Sequence, residues 1–156
     1  MAIDLAIYMA CPNLAGSTHA KTSDHDPAYN CVAFAAGDRT RWWEGLTARE
    51  RLLLPKNAPV VYWPPGIPEN DDVDTWAAVF EWLGYERCSS ADLEPGFEKV
   101  GIFEKGGAAA HVAWQRSDGT WLSKCGPAED IMHATLEAIA GGKYGTVSVV
   151  LRQPRT

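Results

Sequence analysis

Polar and apolar positions along this chain fall into two regimes. The first half carries short apolar runs broken by Gly, Pro and polar clusters, and the second half alternates with strand period. In the first half, Val32, Phe34 and Ala35 follow Asn30 and Cys31, and Gly37 closes the run, so the spacing predicts a short helix over Cys31–Ala36 with Asn30 as its N-cap. A second helix is marked by Asp71, Asp72 and Asp74 ahead of Trp76, Val79, Phe80 and Leu83, with Gly84 at its end. Between them, Thr47–Leu54 suits a helical turn or two. Pro59–Pro68 suits an extended loop, since prolines at that density exclude helix interior and central strand.

The second half reads as a meander. Tyr85–Cys88 predicts a short strand. Glu98–Glu104 alternates, Lys105-Gly106-Gly107 turns it into Ala109–Arg116, and Ser117-Asp118-Gly119 turns that into Thr120–Cys125. A helix is expected from about Ala128 to Ala140, with Glu129 and Asp130 in its first turn and Gly141-Gly142 at its end. Tyr144–Leu151 closes as a strand with Val147, Val149 and Leu151 on one face. At the start, Ile3–Met9 predicts a strand and Cys11–Pro27 an irregular polar stretch. Helices first and then an antiparallel meander is an α+β pattern. It is read as a single domain spanning 1–156, with 1–28 as an irregular N-terminal segment and 29–151 as the core.

Composition narrows the function classes. The 156 residues carry 46% hydrophobic and 22% charged side chains and a net charge of -6 with no basic cluster, which argues against a surface that tracks nucleic-acid phosphates. No apolar run reaches the length of a membrane span, and Met1–Met9 lacks a basic region of the signal-peptide kind. The four cysteines are irregularly spaced with no CxxC pair, so reduced thiols and a cytoplasmic location are expected, with export by a route lacking a cleavable signal left open. No cofactor is expected.

The candidate chemistry begins at Cys31. A thiol on the first turn of a helix meets the positive end of the dipole and unpaired N–H groups, which favour thiolate; the alternative is a small buried hydrophobe. His111 lies in Ala109–Gln115, and period two puts it on one face with Ala113 and Gln115, opposite Val112 and Trp114. The two together have the makings of a thiol–imidazole pair, in which the ring takes the thiol proton and returns it to a leaving group. Its alternative is a sheet histidine bonded to backbone. Ser123 or Gln115 is placed to orient the ring by a neutral hydrogen bond, and Lys124 to bind a substrate carboxylate or pair with an acid. Trp42, Trp43, Tyr62 and Trp63 line a groove or anchor loops, and Trp76 and Phe80 form the buried stripe of their helix. Asp38 falls two turns past Cys31 on the same face, with Arg39 or Arg41 as structural partner, and His133 sits on the flank of the last helix. A metal site from Cys31, His111 and His133 or Cys125 has no supporting ligand spacing, so none is expected.

Taken in order, Tyr29-Asn30-Cys31-x-Ala33-x-Ala35-x-Gly37-Asp38 with Trp42-Trp43, Gly84-Tyr85-Glu86, Phe97-Glu98-Lys99-Val100, His111-x-Ala113-x-Gln115, Asp118-Gly119-x-Trp121-x-Ser123-Lys124-x-Gly126 and Asp130-Ile131-x-His133 resemble an uncharacterised family of small bacterial proteins over roughly Pro27 to Leu151. The order of Cys-helix, His-strand and next strand is also similar to the papain-like fold, especially bacterial cell-wall amidases and peptidases. That resemblance implies a Cys-bearing helix packed on an antiparallel sheet, Cys31 as nucleophile, His111 as base, and a residue of Trp121–Cys125 (Ser123) as orienting group. It also implies oxyanion donors from the Cys31 amide plus Asn30 or another amide. The chain departs from it at two points. No Asn, Asp or His occupies the third position, and His25 and Asp26 stand where papain-type enzymes place a glutamine. Two functions follow as expectations: a cysteine hydrolase or acyltransferase on a peptide, isopeptide or amide bond, with a peptide or protein substrate, or a non-catalytic interaction domain of immunity or adaptor type.

Overall fold

The computed structural model describes residues 3–125 and 129–156. Its elements in chain order are α1 (Leu5–Ala10), β1 (His19–Ser23), α2 (Cys31–Ala35), β2 (Trp42–Trp43), α3 (Ala48–Leu52), β3 (Val61–Tyr62), α4 (Val73–Trp82), β4 (Glu86–Cys88), β5 (Phe97–Lys105), β6 (Ala108–Gln115), β7 (Trp121–Lys124), β8 (Asp130–His133), a 3-10 turn (Leu136–Ile139) and β9 (Thr146–Pro154). Seven strands form one sheet in the order β1-β8-β7-β6-β5-β9-β4, each pair antiparallel, and β2 and β3 pair in parallel beside it. The architecture is α+β. Among the described residues no helix is long and apolar enough to cross a membrane.

The sheet separates two apolar clusters. On one face Val100, Ile102, Val112 and Leu151 pack with Val32, Ala33 and Phe34 of α2 and with Ala77, Val79 and Phe80 of α4. On the other, Phe103, Ala113, Trp121 and Ile131 pack with Ile7, Leu14, Leu136, Ile139 and Tyr144. Alternation along β6 assigns its residues as the period-two pattern requires, with Val112 and Trp114 in the first cluster and Ala113 in the second. A register shift between Ile102 and Phe103 moves Val147 to the second cluster while Val149 and Leu151 stay with the first, so these three do not share one face.

Helices α2, α3 and α4 stand close to where the pattern puts them. Asn30 caps α2 by accepting the Ala33 amide hydrogen, and Thr47 and Glu50 form a reciprocal capping box on α3. Trp76 is half-buried against the core rather than enclosed.

Three expectations are corrected. Ile3–Met9 is not a strand: the Asp4 carboxylate caps the Ala6 amide and starts α1, whose Ile7 is buried while Leu5 and Met9 face solvent. The polar stretch Cys11–Pro27 is not wholly irregular, because β1 lies within it and pairs with β8. The helix expected over Ala128–Ala140 does not form. Its first residue lies outside the described residues, and from Asp130 the chain runs as β8 and then the 3-10 turn. Successive residues of β8 are needed on opposite faces: Asp130 meets Tyr29 and Lys124 on one, and Ile131 enters the second cluster on the other. Strand alternation makes that division residue by residue.

Candidate active site

Strand β6 is the element that both candidate groups share. Cys31 occupies the first position of α2, where its amide and that of Val32 lie ahead of the helical ladder. The backbone N–H dipoles of Val112 of β6, of Val32 and of Cys31 itself favour its thiolate, but burial outweighs them and, with Glu44 adding repulsion, the thiol is pushed up to about 11.

The neighbour of Val112 is His111, whose ring lies on the second-cluster side. It stacks on Tyr144 with centroids 4.1 Å apart and meets the edge of Phe103 at 5.7 Å. His111 Nε2 is 2.9 Å from Ser123 Oγ, and Ser123 Oγ is 2.8 Å from His133 Nε2. His133 Nδ1 is 2.8 Å from the Thr135 carbonyl oxygen. A carbonyl only accepts, so His133 carries its hydrogen on Nδ1, and its bare Nε2 accepts from the Ser123 hydroxyl. Ser123 Oγ then accepts from His111 Nε2–H, which leaves Nδ1 of His111 as the lone-pair nitrogen. All three side chains are buried. Burial pushes His111 down to about 3, with His133 adding repulsion, and His133 down to about 4. Both rings are therefore neutral at physiological pH. Among the described residues no hydrogen bond joins the Cys31 sulfur to His111, and Nδ1 of His111 has no hydrogen-bond partner.

The remaining sequence candidates are distributed as follows. Asn30 is engaged by the neighbouring loop: its oxygen accepts from the amides of Ala33 and Trp43, and its NH2 donates to the Trp43 carbonyl at 2.9 Å. Gln115 is buried and donates to the Ala91 carbonyl, away from the His111 ring nitrogens. Lys124 is enclosed, with Nζ 3.8 Å from Asp130 Oδ1 and 4.5 Å from the Tyr29 ring centroid; burial lowers its pKa while Asp130 and Asp26 oppose the shift. Trp42 donates its indole N–H to the Pro27 carbonyl, and Trp43 donates its own to Asp38. Because α2 stops at Ala35, Asp38 is not on its face. Asp38 instead ties the following loop, accepting from Thr40, Arg41 and Trp43.

His133 is the residue sequence reasoning missed. Expected on a helix flank, it is fully buried at the end of the Ser123 relay. No local signal marks it: Glu129 and Asp130 imitate a helix start, and only the pairing of β8 with β7, Ile131 opposite Ser123 and His133 opposite Trp121, brings His133 to the face of Ser123.

Tyr144 connects the site to a cavity of about 480 Å3. That cavity is lined by Asp4, Ile7, His25, Pro27, Cys125 and Tyr144, among others. Tyr144 and Cys125 both line it, and burial raises the pKa of each.

No curated protein and no solved structure matches this chain. A family model described as a domain of unknown function, DUF7689, matches residues 20–152, which takes in α2, β6, β7 and β8 with their Cys31, His111, Ser123 and His133. The chain belongs to the DUF7689 family.

Proposed function

We propose that this protein is a cysteine-nucleophile hydrolase or acyltransferase of papain-like pattern, acting on a peptide, isopeptide or amide bond of a peptide or protein substrate. The observation that carries the reading is the relay from Thr135 through His133 and Ser123 to His111. It fixes the tautomer of a neutral imidazole on the residue next to Val112, whose amide dipole favours the Cys31 thiolate. In the acylation step the thiol proton goes to His111 Nδ1 as sulfur bonds to the carbonyl carbon, and that proton then leaves with the amine. In the second step His111 takes a proton from water, hydroxide oxygen bonds to the acyl carbon, and the carbon–sulfur bond breaks, with the proton returned to sulfur. First-turn amides of α2 are the oxyanion donors in this scheme, with Asn30 held aside by Trp43. No cofactor is required.

A second reading is a non-catalytic interaction domain. The raised thiol, the depressed imidazole and the lack of a Cys31–His111 hydrogen bond among the described residues favour it. The test is acylation of the protein by a peptide thioester, followed by intact mass and peptide mapping. Enzymatic function predicts one acyl group on Cys31 that turns over and is lost in Cys31→Ala. A scaffold predicts no stable or turning-over adduct on that residue.

A further inference from the structure

We propose that Asp4, His25 and Glu129 form a site for one divalent transition-metal ion of the zinc class, built from residues outside the Cys31–His111 pair. Three separate segments bring them together: Asp4 precedes α1, His25 lies between β1 and α2, and Glu129 precedes β8. His25 Nε2 is 3.3 Å from Asp4 Oδ2 and 3.7 Å from Glu129 Oε1, and one ligand atom from each residue falls within 4.8 Å of the others. A tetrahedral ion with bonds of about 2.0–2.1 Å has ligand–ligand edges of about 3.3–3.4 Å. Two edges of such a tetrahedron are already close to that length.

The carboxylates are held for the task. Both Glu129 oxygens are 3.2 Å from the Asp4 amide nitrogen, and Asp4 Oδ1 accepts the Ala6 amide hydrogen, which directs Oδ2 toward His25. The Glu129 side chain is only 7% exposed, so its charge has lost most of its water. Lys21 of β1 pairs with Asp24 at 2.6 Å, with a weaker attraction to Glu129. A second feature points to a ligand: the cavity of about 480 Å3 has Asp4 and His25 in its wall, with room for water at a fourth coordination position. Two carboxylates and one imidazole suit Zn2+, Co2+ or Ni2+ better than Mg2+ or Ca2+, which take oxygen ligands.

Titration of the full chain with Co2+, read by absorption, and with Zn2+, read by calorimetry, tests the proposal. One ion per chain is expected, with cobalt bands of a nitrogen–oxygen site and no cobalt–thiolate charge-transfer band. Affinity should be unchanged in Cys31→Ala and at least about ten-fold weaker in His25→Ala and Glu129→Gln. His25 is exposed, so His25→Ala keeps the test valid should the buried Glu129→Gln variant misfold. Absent saturable binding, a thiolate band, or undiminished affinity in His25→Ala overturns the site.

Discussion

The Ser123 hydroxyl lies 2.9 Å from Nε2 of His111, a bond that joins β7 to β6 beyond the last paired residues of their ladder, Trp114 with Leu122. It is buried and continues to His133. Replacing Ser123 by Ala leaves two enclosed imidazole nitrogens without partners, at a cost of about 1–3 kcal/mol in unfolding free energy. On the proposed function it also frees the His111 ring, so Cys31 acylation slows by about ten-fold or more. Denaturant unfolding and acylation kinetics of Ser123→Ala measure the two effects. Wild-type stability in that variant would show the relay to be incidental.

The relay makes folding sensitive to mild acid. His111 and His133 are held down to about 3 and about 4, whereas unfolded histidine titrates at about 6.5. Below that value the unfolded chain binds more protons than the folded one, so stability is full above about 6.5 and declines as pH drops toward 4. The limiting slope is about 1.4 kcal/mol per pH unit for each histidine. Urea unfolding at several pH values between 7 and 5, compared in wild type and His133→Gln, isolates one histidine's share. Identical slopes in the two proteins would refute this assignment.

Alkylation of Cys31 should follow its raised thiol pKa. Because burial outweighs the favourable backbone dipoles and puts the group at about 11, the rate of reaction with iodoacetamide is expected to rise by about ten-fold per pH unit from 7 to 9. A plateau near neutral pH would instead reveal a preformed thiolate–imidazolium pair.

Asp38 anchors the loop that holds Asn30. Burial works to raise its pKa, but hydrogen bonds from Thr40, Trp43 and Arg41 prevail and hold it well below the usual carboxylate range. Asp38→Ala is expected to cost about 2 kcal/mol and to shift Trp43 fluorescence, since the indole N–H loses its acceptor. An unchanged emission spectrum and melting temperature would contradict this.

Gly145 seats Tyr144 against His111. Its φ is +71°, and a Cβ there would stand 2.0 Å from the Glu104 carbonyl oxygen, so both conformation and space exclude a side chain. Gly145→Ala should destabilise by about 2 kcal/mol or more. Thermal unfolding checks it, and a shift of less than a degree would argue that the turn relaxes freely.

The parts of this fold legible in the sequence are those whose signals are local. Asn30 and Gly37 bracket α2, three aspartates and Gly84 bracket α4, and the turns at Gly106-Gly107 and Asp118-Gly119 define the β5–β6–β7 meander. Its alternation also gave the facing of His111 and Val112. What escaped depends on partners far along the chain. Glu129 and Asp130 imitate an acidic helix start, yet Asp130 is a strand residue because Tyr29 and Lys124 compensate it inside the protein. His133 and the pairing of β1 with β8 were hidden for the same reason. Asn30 looked available as an oxyanion donor, and only the tertiary fold shows its amide occupied by Trp43.

The most direct measurement of the central claim is the rate at which a peptide thioester acylates wild type, His111→Gln and Cys31→Ala, with the modified residue mapped by mass spectrometry. If the nitrogen left bare by Ser123 serves the Cys31 thiol, acylation falls on Cys31, slows by about a hundred-fold without His111, and vanishes without the sulfur. Equal rates for wild type and a folded His111→Gln protein, or acylation spread evenly over Cys31 and the half-buried Cys88, would contradict it.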